Sequence, residues 1–327
     1  MSIRYFQSLP RPSAESLSGK VLSQMQKEFG AEVEPFTLHL PLPELLAGVW
    51  MACRETLLAG SGRRDAREVV AASVSALNRC PFCVDAHSIM LLGSSGNDYP
   101  KALADPFLSE TAAWASATRT PGSPILQKPP FSPEEAPSFI GTAVLFHYIN
   151  RMVTILLGPS PLPFSSGFPK KVSMQMAALF FGGAIRRQKE QGASLDLLGE
   201  APLPDDLSWA QPSKPIAGAF ARFAQSIEHS GALALSPEVR NMVANAVEKW
   251  NGNDPGMDNG WCEEAISQLG VTDKSAGRLV LLTALAPYRV DESTVHAFSA
   301  SFPGDAKLLS ALAWGSFTAA RRVGSWL

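Results

Sequence analysis

Two apolar helical segments meet at a sharp corner in the first third of the chain, and this corner constrains the fold more than any other part of the sequence. Residues 67–88 read REVVAASVSALNRCPFCVDAHS. Asn78 and Arg79 end the first apolar segment, and Pro81 can begin the next helix because its fixed φ suits the first helical position. This places Cys80 near the N-cap of that helix and Cys83 in its first turn.

The residue types at this corner predict redox chemistry. Cys80, Cys83 and His87 follow i, i+3, i+7 spacing, so a helix places their side chains on one face. The partial positive charge at a helix N-terminus favours thiolate over thiol. Thiols in such positions reach pKa values of roughly 3.5–7.5, against about 8.5 for a free cysteine.

Three other interpretations of the motif can be compared with redox chemistry. A zinc site is one, since C-x2-C-x3-H supplies three ligands, but a structural site usually needs a fourth and none lies nearby in the sequence. Haem attachment needs a histidine directly after the second cysteine, where this chain has Val84. Ordinary structure is the third: cysteines are often small buried residues, His87 can be a satisfied helix histidine, and Glu68 can be a solvated charge near a helix start.

A family resemblance appears at the same residues. Glu68, eleven residues, Cys80-x-x-Cys83, three residues and His87 resemble the signature of the alkylhydroperoxidase D (AhpD) family, which belongs to the carboxymuconolactone decarboxylase superfamily. The resemblance implies an all-α helical bundle, often oligomeric. It also implies peroxidase or disulfide-reductase chemistry without a bound metal or haem.

The resemblance also implies a role for each motif residue. Cys83 would be the attacking, peroxidatic thiol and Cys80 the resolving one, while Glu68 and His87 would form a proton relay. The implied enzyme is a peroxiredoxin-type alkylhydroperoxidase with a hydroperoxide substrate and an external dithiol reductant, either a protein or a lipoyl-type group. Phe82 departs from the pattern, because the well-studied peroxidases of the family carry a histidine at that place. Helix physics alone often makes the first cysteine, here Cys80, the more accessible nucleophile. The assignment of Cys83 as the attacking thiol therefore rests on the resemblance.

The rest of the chain also has helical patterns. Predicted helices cover residues 13–29, 43–58, 81–92, 111–117, 136–157, 174–190, 291–298 and 308–326. No G-x-G-x-x-G follows a strand pattern, so we expect no flavin or nicotinamide cofactor. The scarcity of strand patterns also argues against a thioredoxin fold, which needs βαβ units around its C-x-x-C.

Several other polar or irregular positions are candidates for a role near the motif. The proline-rich segment 119–137 is predicted to be a surface loop that covers the cysteine pocket. His147 and Tyr148 lie in an otherwise apolar helix, where polar groups need partners. They are candidates for support around the dithiol, and a polar network between helices is the alternative. We expect Cys53 and Cys262 to be structural.

The second half of the chain echoes the first. Residues 277–287 resemble the first helix of the motif, and the predicted helix at 291–298 would match the cysteine helix. His296 lies at roughly the place of His87, but no cysteines precede it. We therefore predict an AhpD-like domain over residues 1–200 and a second helical domain over residues 201–327. The second domain is either a degenerate repeat that lacks the cysteines or a chance similarity between alanine- and leucine-rich helices.

The composition of the chain indicates its cellular compartment and argues against some classes of binding partner. Four cysteines in 327 residues are too few for a secreted disulfide scaffold, and the first ten residues have no apolar run of a signal peptide, so we predict a cytoplasmic protein. A net charge of −2 gives no sign of a nucleic-acid or anionic-membrane partner. No apolar run is expected to be long enough to span a bilayer.

The family resemblance implies a homo-oligomer without a bound metal. The sequence itself predicts no nucleic-acid partner, no membrane partner and no flavin or nicotinamide cofactor. Two functions other than a peroxidase remain. One is a redox-sensing or structural helical protein whose dithiol only toggles between oxidation states. The other is a different reaction of the superfamily, such as lactone decarboxylation, although that chemistry does not need paired cysteines.

Overall fold

The structure is a computed structural model that describes residues 3–6, 10–60, 62–161, 170–256 and 258–327. Within these ranges the chain forms fifteen α-helices and no β-strand, so the all-α prediction is confirmed. The helices are α1 (Leu17–Phe29), α2 (Glu34–Thr37), α3 (Pro43–Cys53), α4 (Arg64–Leu77), α5 (Pro81–Ser95), α6 (Tyr99–Ala102), α7 (Pro106–Ala117), α8 (Ala136–Leu156), α9 (Lys170–Ile185), α10 (Lys214–Ala234), α11 (Pro237–Glu248), α12 (Gly260–Ile266), α13 (Val271–Leu285), α14 (Glu292–Ser301) and α15 (Asp305–Gly324). A π-helical turn, Arg54–Leu58, continues α3.

Local capping chemistry sets the helix ends. The hydroxyl of Ser16 caps α1 by accepting a hydrogen bond from a first-turn amide at 3.1 Å. Gly30 ends α1 in the left-handed region, with a φ of 94°. α7 begins at Pro106 rather than at residue 111, because Asp105 acts as its N-cap and accepts from the amide two residues later at 2.9 Å.

α8 is the central helix of the fold. α4, α15 and the π-helical turn pack against it, and nearly all of its side chains are buried. The prediction that no apolar segment is long enough to cross a membrane was wrong, because α8 meets that criterion by length and composition among the described residues. However, 94% of its most apolar window is buried inside the chain. Protein therefore covers the apolar surface of α8, as expected for a core helix.

The two halves of the chain share one hydrophobic core. α13 and α14 pack on each other and on α15, as α4 and α5 pack on each other and on α8, and α8 packs on α15. The ring of Tyr148 lies 5.2 Å from that of Phe223 and 6.1 Å from that of Phe317, which joins the halves. The repeat and the domain boundary at residue 200 stay predictions. His296 is exposed whereas His87 is buried, so the two positions have different environments.

Candidate active site

The corner between α4 and α5 positions the first cysteine. The backbone turns at Arg79, which has a left-handed φ of 55°, and the amide of Cys80 donates to the carbonyl of Ser75 at 2.9 Å. Pro81 takes the first position of α5, as predicted. The carbonyl of Cys80 accepts from the amide of Val84 at 3.1 Å, which begins the helix. Cys80 is therefore held at the N-cap of α5.

The two motif sulfurs lie 3.0 Å apart as free thiols. Both residues are buried, with 1% of Cys80 and 2% of Cys83 exposed. The hydrogen bond from the Cys83 thiol lowers the pKa of Cys80 against the effect of burial, whereas burial raises the pKa of Cys83 well above its ordinary value. The two thiols therefore titrate as a pair, in which the first ionisation favours Cys80 and the thiol of Cys83 keeps its proton longer.

Glu68 and His87 form a hydrogen bond between α4 and α5. Oε2 of Glu68 accepts from Nδ1 of His87 at 2.6 Å, and Oε1 accepts from Nε of Arg64 at 2.8 Å. Burial opposes ionisation of the fully buried Glu68, but the charges of Arg64 and His87 outweigh this effect and hold its pKa below the ordinary value. Because a carboxylate can only accept, Nδ1 of His87 carries a proton and Nε2 is the atom able to accept another.

A cavity of about 240 Å³ adjoins the motif. Cys83 and His87 both line it, together with Phe82 and Phe146. The Phe146 ring packs edge-on against the His87 imidazole, with ring centres 4.3 Å apart, and so limits imidazole rotation. Other apolar lining residues include Phe29, Phe36, Met90, Ile149 and Phe181. The fold thus brings a thiol and an imidazole to the same apolar space.

Cys53 is a third cysteine in the cavity wall, on α3. Burial raises its pKa to about 12. The thiol is therefore protonated near neutral pH, and a protonated thiol is a poor nucleophile. Its chemistry agrees with the structural role expected for it, although its position beside the cavity was not predicted.

The proline-rich segment 119–137 does not cover this cavity. The structure describes all of these residues, and none of them lines it. Instead, Phe131 of the segment stacks on Phe139, with ring centres 4.4 Å apart, and packs edge-on against Trp114 at 4.9 Å. The prediction that the segment covers the cysteine pocket was wrong, because its buried aromatic residue anchors it elsewhere.

Asn150, on α8, supports the dithiol and was not among the predicted site residues. Its Nδ2 donates to the hydroxyl of Ser75 at 3.0 Å, and its Oδ1 accepts from Asn78 at 2.9 Å. Burial and the contact between the two thiols dominate the pKa values of the pair, and the Asn150 amide adds a smaller effect that favours the thiolate form of each sulfur. A buried amide in an apolar helix was the available signal, but the prediction selected its neighbours His147 and Tyr148 instead.

His147 and Tyr148 make contacts between helices. Nδ1 of His147 accepts from Asn78 at 3.0 Å, and its Nε2 lies 2.9 Å from the hydroxyl of Thr118. The Tyr148 hydroxyl lies 2.7 Å from Nε2 of His39. Neither His147 nor Tyr148 lines the cavity. His147 connects to the dithiol only through the amide network, and a supporting role for either residue stays a prediction.

The described residues contain no group of three or more His, Cys, Asp or Glu side chains placed to hold a metal ion. A structural zinc site usually needs four ligands. The arrangement therefore favours the redox reading over the zinc reading.

Comparison with known proteins extends the similarity well beyond the motif. No family model matches the chain. The chain is 39% identical over 318 residues to "Alkyl hydroperoxide reductase Rv2159c" from Mycobacterium tuberculosis. The alignment covers 94% of this chain and 90% of the relative, so it includes both halves.

Proposed function

The chain belongs to the AhpD-like family of the carboxymuconolactone decarboxylase superfamily, and from this premise we propose that it is a thiol-dependent peroxidase acting on alkyl hydroperoxides. One observation carries the proposal: a dithiol with sulfurs 3.0 Å apart meets a carboxylate-bound imidazole at one apolar cavity. The name of the relative supports the substrate class. The term peroxiredoxin-type applies to the thiol chemistry alone, since the described chain is all-helical.

The proposed cycle has three steps. The Cys83 thiolate attacks the hydroperoxide, the O–O bond breaks, and a sulfenic acid forms while the alkoxide takes a proton and leaves as the alcohol. The Cys80 thiol then condenses with the sulfenic acid, so that an S–S bond forms and water leaves. An external dithiol reduces this disulfide by exchange and is itself oxidised to a disulfide.

The position of Cys83 in the cavity wall supports its assignment as the attacking thiol, because Cys80 does not line the cavity. The preference of the first ionisation for Cys80 is compatible with this order. The remaining proton can pass from Cys83 to Cys80 across the 3.0 Å contact, which leaves the thiolate at the cavity. Since nucleophilicity rises with thiol pKa, the raised pKa of Cys83 makes its thiolate the stronger attacking group.

We assign the proton transfers to His87. Its Nε2 accepts a proton from the dithiol and returns one to the leaving alkoxide. The Glu68 carboxylate fixes the tautomer of His87 and stabilises the imidazolium that forms, while Arg64 keeps that carboxylate ionised. Because Phe82 replaces the family histidine, His87 is the sole imidazole among the described lining residues, and it serves both transfers.

The remaining partners are part of the same proposal. The reductant is an external dithiol, either a protein or a lipoyl-type group, because the cycle returns a disulfide that must be reduced. We also propose a homo-oligomer in the cytoplasm, as predicted from the sequence.

A redox-sensing dithiol without turnover is the alternative. Burial of both sulfurs favours it, because a buried disulfide is slow to meet a reductant. Lactone decarboxylation gains no support from the site, since that chemistry has no use for two thiols in contact.

Steady-state consumption of tert-butyl hydroperoxide with a small dithiol reductant tests the proposal. We expect turnover in the wild type, none in Cys83→Ser, and a single oxidation to an accumulating sulfenic acid in Cys80→Ser. Cys262→Ser is the matched control, because Cys262 is buried away from the cavity. Turnover in Cys83→Ser would overturn the proposal, and one stoichiometric oxidation of the wild type without turnover would establish the sensor reading.

A further inference from the structure

α9 presents an apolar face to solvent. Val172, Met176, Leu179 and Phe180 are all exposed, and their i, i+4, i+7, i+8 spacing places them in one stripe. The exposed fraction is 59% for Met176 and 82% for Leu179. These four are half of the eight large apolar side chains that are exposed in the described chain. A stripe of this size on one helix marks an interaction surface.

The side of α9 next to this stripe forms part of the cavity wall. Ala177 and Phe181 line the cavity, and the Phe181 ring packs against Phe29 with ring centres 6.0 Å apart. At the end of α9, Nη1 of Arg186 donates to the carbonyl of Gly93 at 2.8 Å, which joins α9 to α5. The exposed stripe and the active-site wall are therefore two sides of the same helix.

The sequence of α9 and of the turn after it is basic. Residues 170–187 read KKVSMQMAALFFGGAIRR, with four Lys and Arg and no Asp or Glu, although the whole chain has a net charge of −2. Arg186 and Arg187 are exposed directly after the end of the helix, whereas Lys189 is buried and Glu190 follows it. Glu32 is an acidic residue that lines the cavity, and its Oε1 forms an ion pair with Nη2 of Arg11 at 2.6 Å, so its charge is balanced. An apolar stripe flanked by basic residues is complementary to a surface with anionic headgroups above an apolar interior.

We propose that α9 docks on an anionic lipid surface and that the cavity behind it takes hydroperoxides of membrane lipids. Docking places the helix in the plane of the interface, with Met176 and Leu179 among the acyl chains and Arg187 at the headgroups. A peroxidised acyl chain then enters the cavity along the apolar wall of α9. From the net charge of the whole chain we predicted no membrane partner. That number does not reveal a basic cluster that other parts of the chain offset. The substrate part of this inference rests on the proposed function, whereas the docking does not.

Vesicle co-sedimentation tests the docking on the full chain. The probes are vesicles of phosphatidylglycerol mixed with phosphatidylcholine, and vesicles of phosphatidylcholine alone. We expect binding to the anionic vesicles that falls at least about tenfold in Met176→Ser/Leu179→Ser, on neutral vesicles, or in high salt. The matched control is Leu233→Ser/Val271→Ser, because these side chains are 73% and 90% exposed but lie on other helices. It should bind as the wild type does.

Two activity assays separate the docking from the proposed function. Turnover of tert-butyl hydroperoxide in solution should be the same in Met176→Ser/Leu179→Ser as in the wild type. Turnover of phosphatidylcholine hydroperoxide within anionic vesicles should fall at least about tenfold in that variant. If the wild type binds vesicles but reduces neither peroxide, the docking stands and the proposed peroxidase function fails.

Three results would overturn the docking. One is a wild type that does not sediment with anionic vesicles. Another is equal loss of binding in the α9 variant and in its control. The third is a lower oligomeric mass of the α9 variant in vesicle-free solution, by size exclusion with light scattering, because the stripe would then be an interface between copies of the chain.

Discussion

Replacing Glu68 by glutamine should separate the proton relay from the fold. The amide keeps the shape of the carboxylate and still offers an oxygen to Arg64. It removes the negative charge that His87 meets at 2.6 Å. The imidazolium that forms during proton transfer then lacks its counter-charge, while the two sulfurs keep their positions on α5.

The size of the effect follows from the burial of this contact. A hydrogen bond to a charged group is worth about 1.5–3 kcal/mol. Glu68 is fully buried, so solvent screens its charge weakly and the upper part of that range applies. A loss of roughly 3 kcal/mol in the transition state lowers turnover about 100-fold. We therefore expect kcat/KM for tert-butyl hydroperoxide to fall about 100-fold in Glu68→Gln.

Glu55→Gln is the matched control. Glu55 is also fully buried and ion-paired, with Arg54 at 2.6 Å, and it accepts from the amide of Gly192 at 2.7 Å and from the hydroxyl of Ser194 at 2.8 Å. It does not line the cavity. Both variants should lose about 3 kcal/mol or less of unfolding free energy, because the amide keeps hydrogen bonds that a truncation would remove. Only Glu68→Gln should lose turnover.

Stopped-flow peroxide consumption and urea unfolding of both variants provide the measurements. If Glu68→Gln turns over within about threefold of the wild type, a difference of less than 1 kcal/mol, the relay is wrong. Equal loss of turnover in both variants would also refute it, because the effect would then come from the fold.

Three further predictions follow from the same contacts. Asn150→Leu should raise the pKa of the first ionisation of the dithiol by roughly one unit, because it removes a buried amide that favours the thiolate form of both sulfurs. An unchanged pH midpoint of thiol alkylation would contradict this. The folded-state pKa of Glu68 lies below its ordinary 4.5, so the stability that its ionised form contributes is present above about pH 4.5 and is lost as pH falls through the folded-state pKa. The difference in unfolding free energy between wild type and Glu68→Gln, measured with urea, should therefore become smaller in acid. A difference that does not change with pH would be inconsistent with this linkage. A Cβ at Gly93 would meet Ile185 Cδ1 at 2.9 Å and the Ala178 carbonyl at 3.1 Å, so Gly93→Val should loosen α9 and cost roughly 1–3 kcal/mol; thermal unfolding that matches the wild type would disprove this close approach.

Local signals in the sequence predicted the helical class and much of the site. Pro81 begins α5 and α1 ends at residue 29, both as predicted, because Pro81 and the following Gly30 act through their own backbone preferences. The i, i+3, i+7 spacing on α5 placed Cys83 and His87 on one face, and both line the cavity. These features depend on a few neighbouring residues, so a pattern can reveal them.

Features that depend on packing between helices were not predictable in this way. Asn150 reaches the dithiol only because α8 packs on α4, and the two segments are more than seventy residues apart in the sequence. The loop at 119–137 was expected over the cysteines, but Phe131 anchors it on Phe139. The exposed stripe of α9 was also missed, because apolar composition alone does not tell which face of a helix its neighbours cover.

The burial of both sulfurs has a kinetic consequence. In the proposed cycle, oxidant and reductant use the same space one after the other, since Cys83 is the sulfur that lines the cavity. The alcohol then has to leave before the reducing dithiol arrives, which is a ping-pong scheme with parallel double-reciprocal plots. A large excess of either substrate should slow the cycle, because that substrate would fill the cavity while the dithiol is in the oxidation state that cannot react with it. A narrow dithiol on a flexible linker can enter and leave the cavity in this order more easily than a cysteine pair on a flat protein surface.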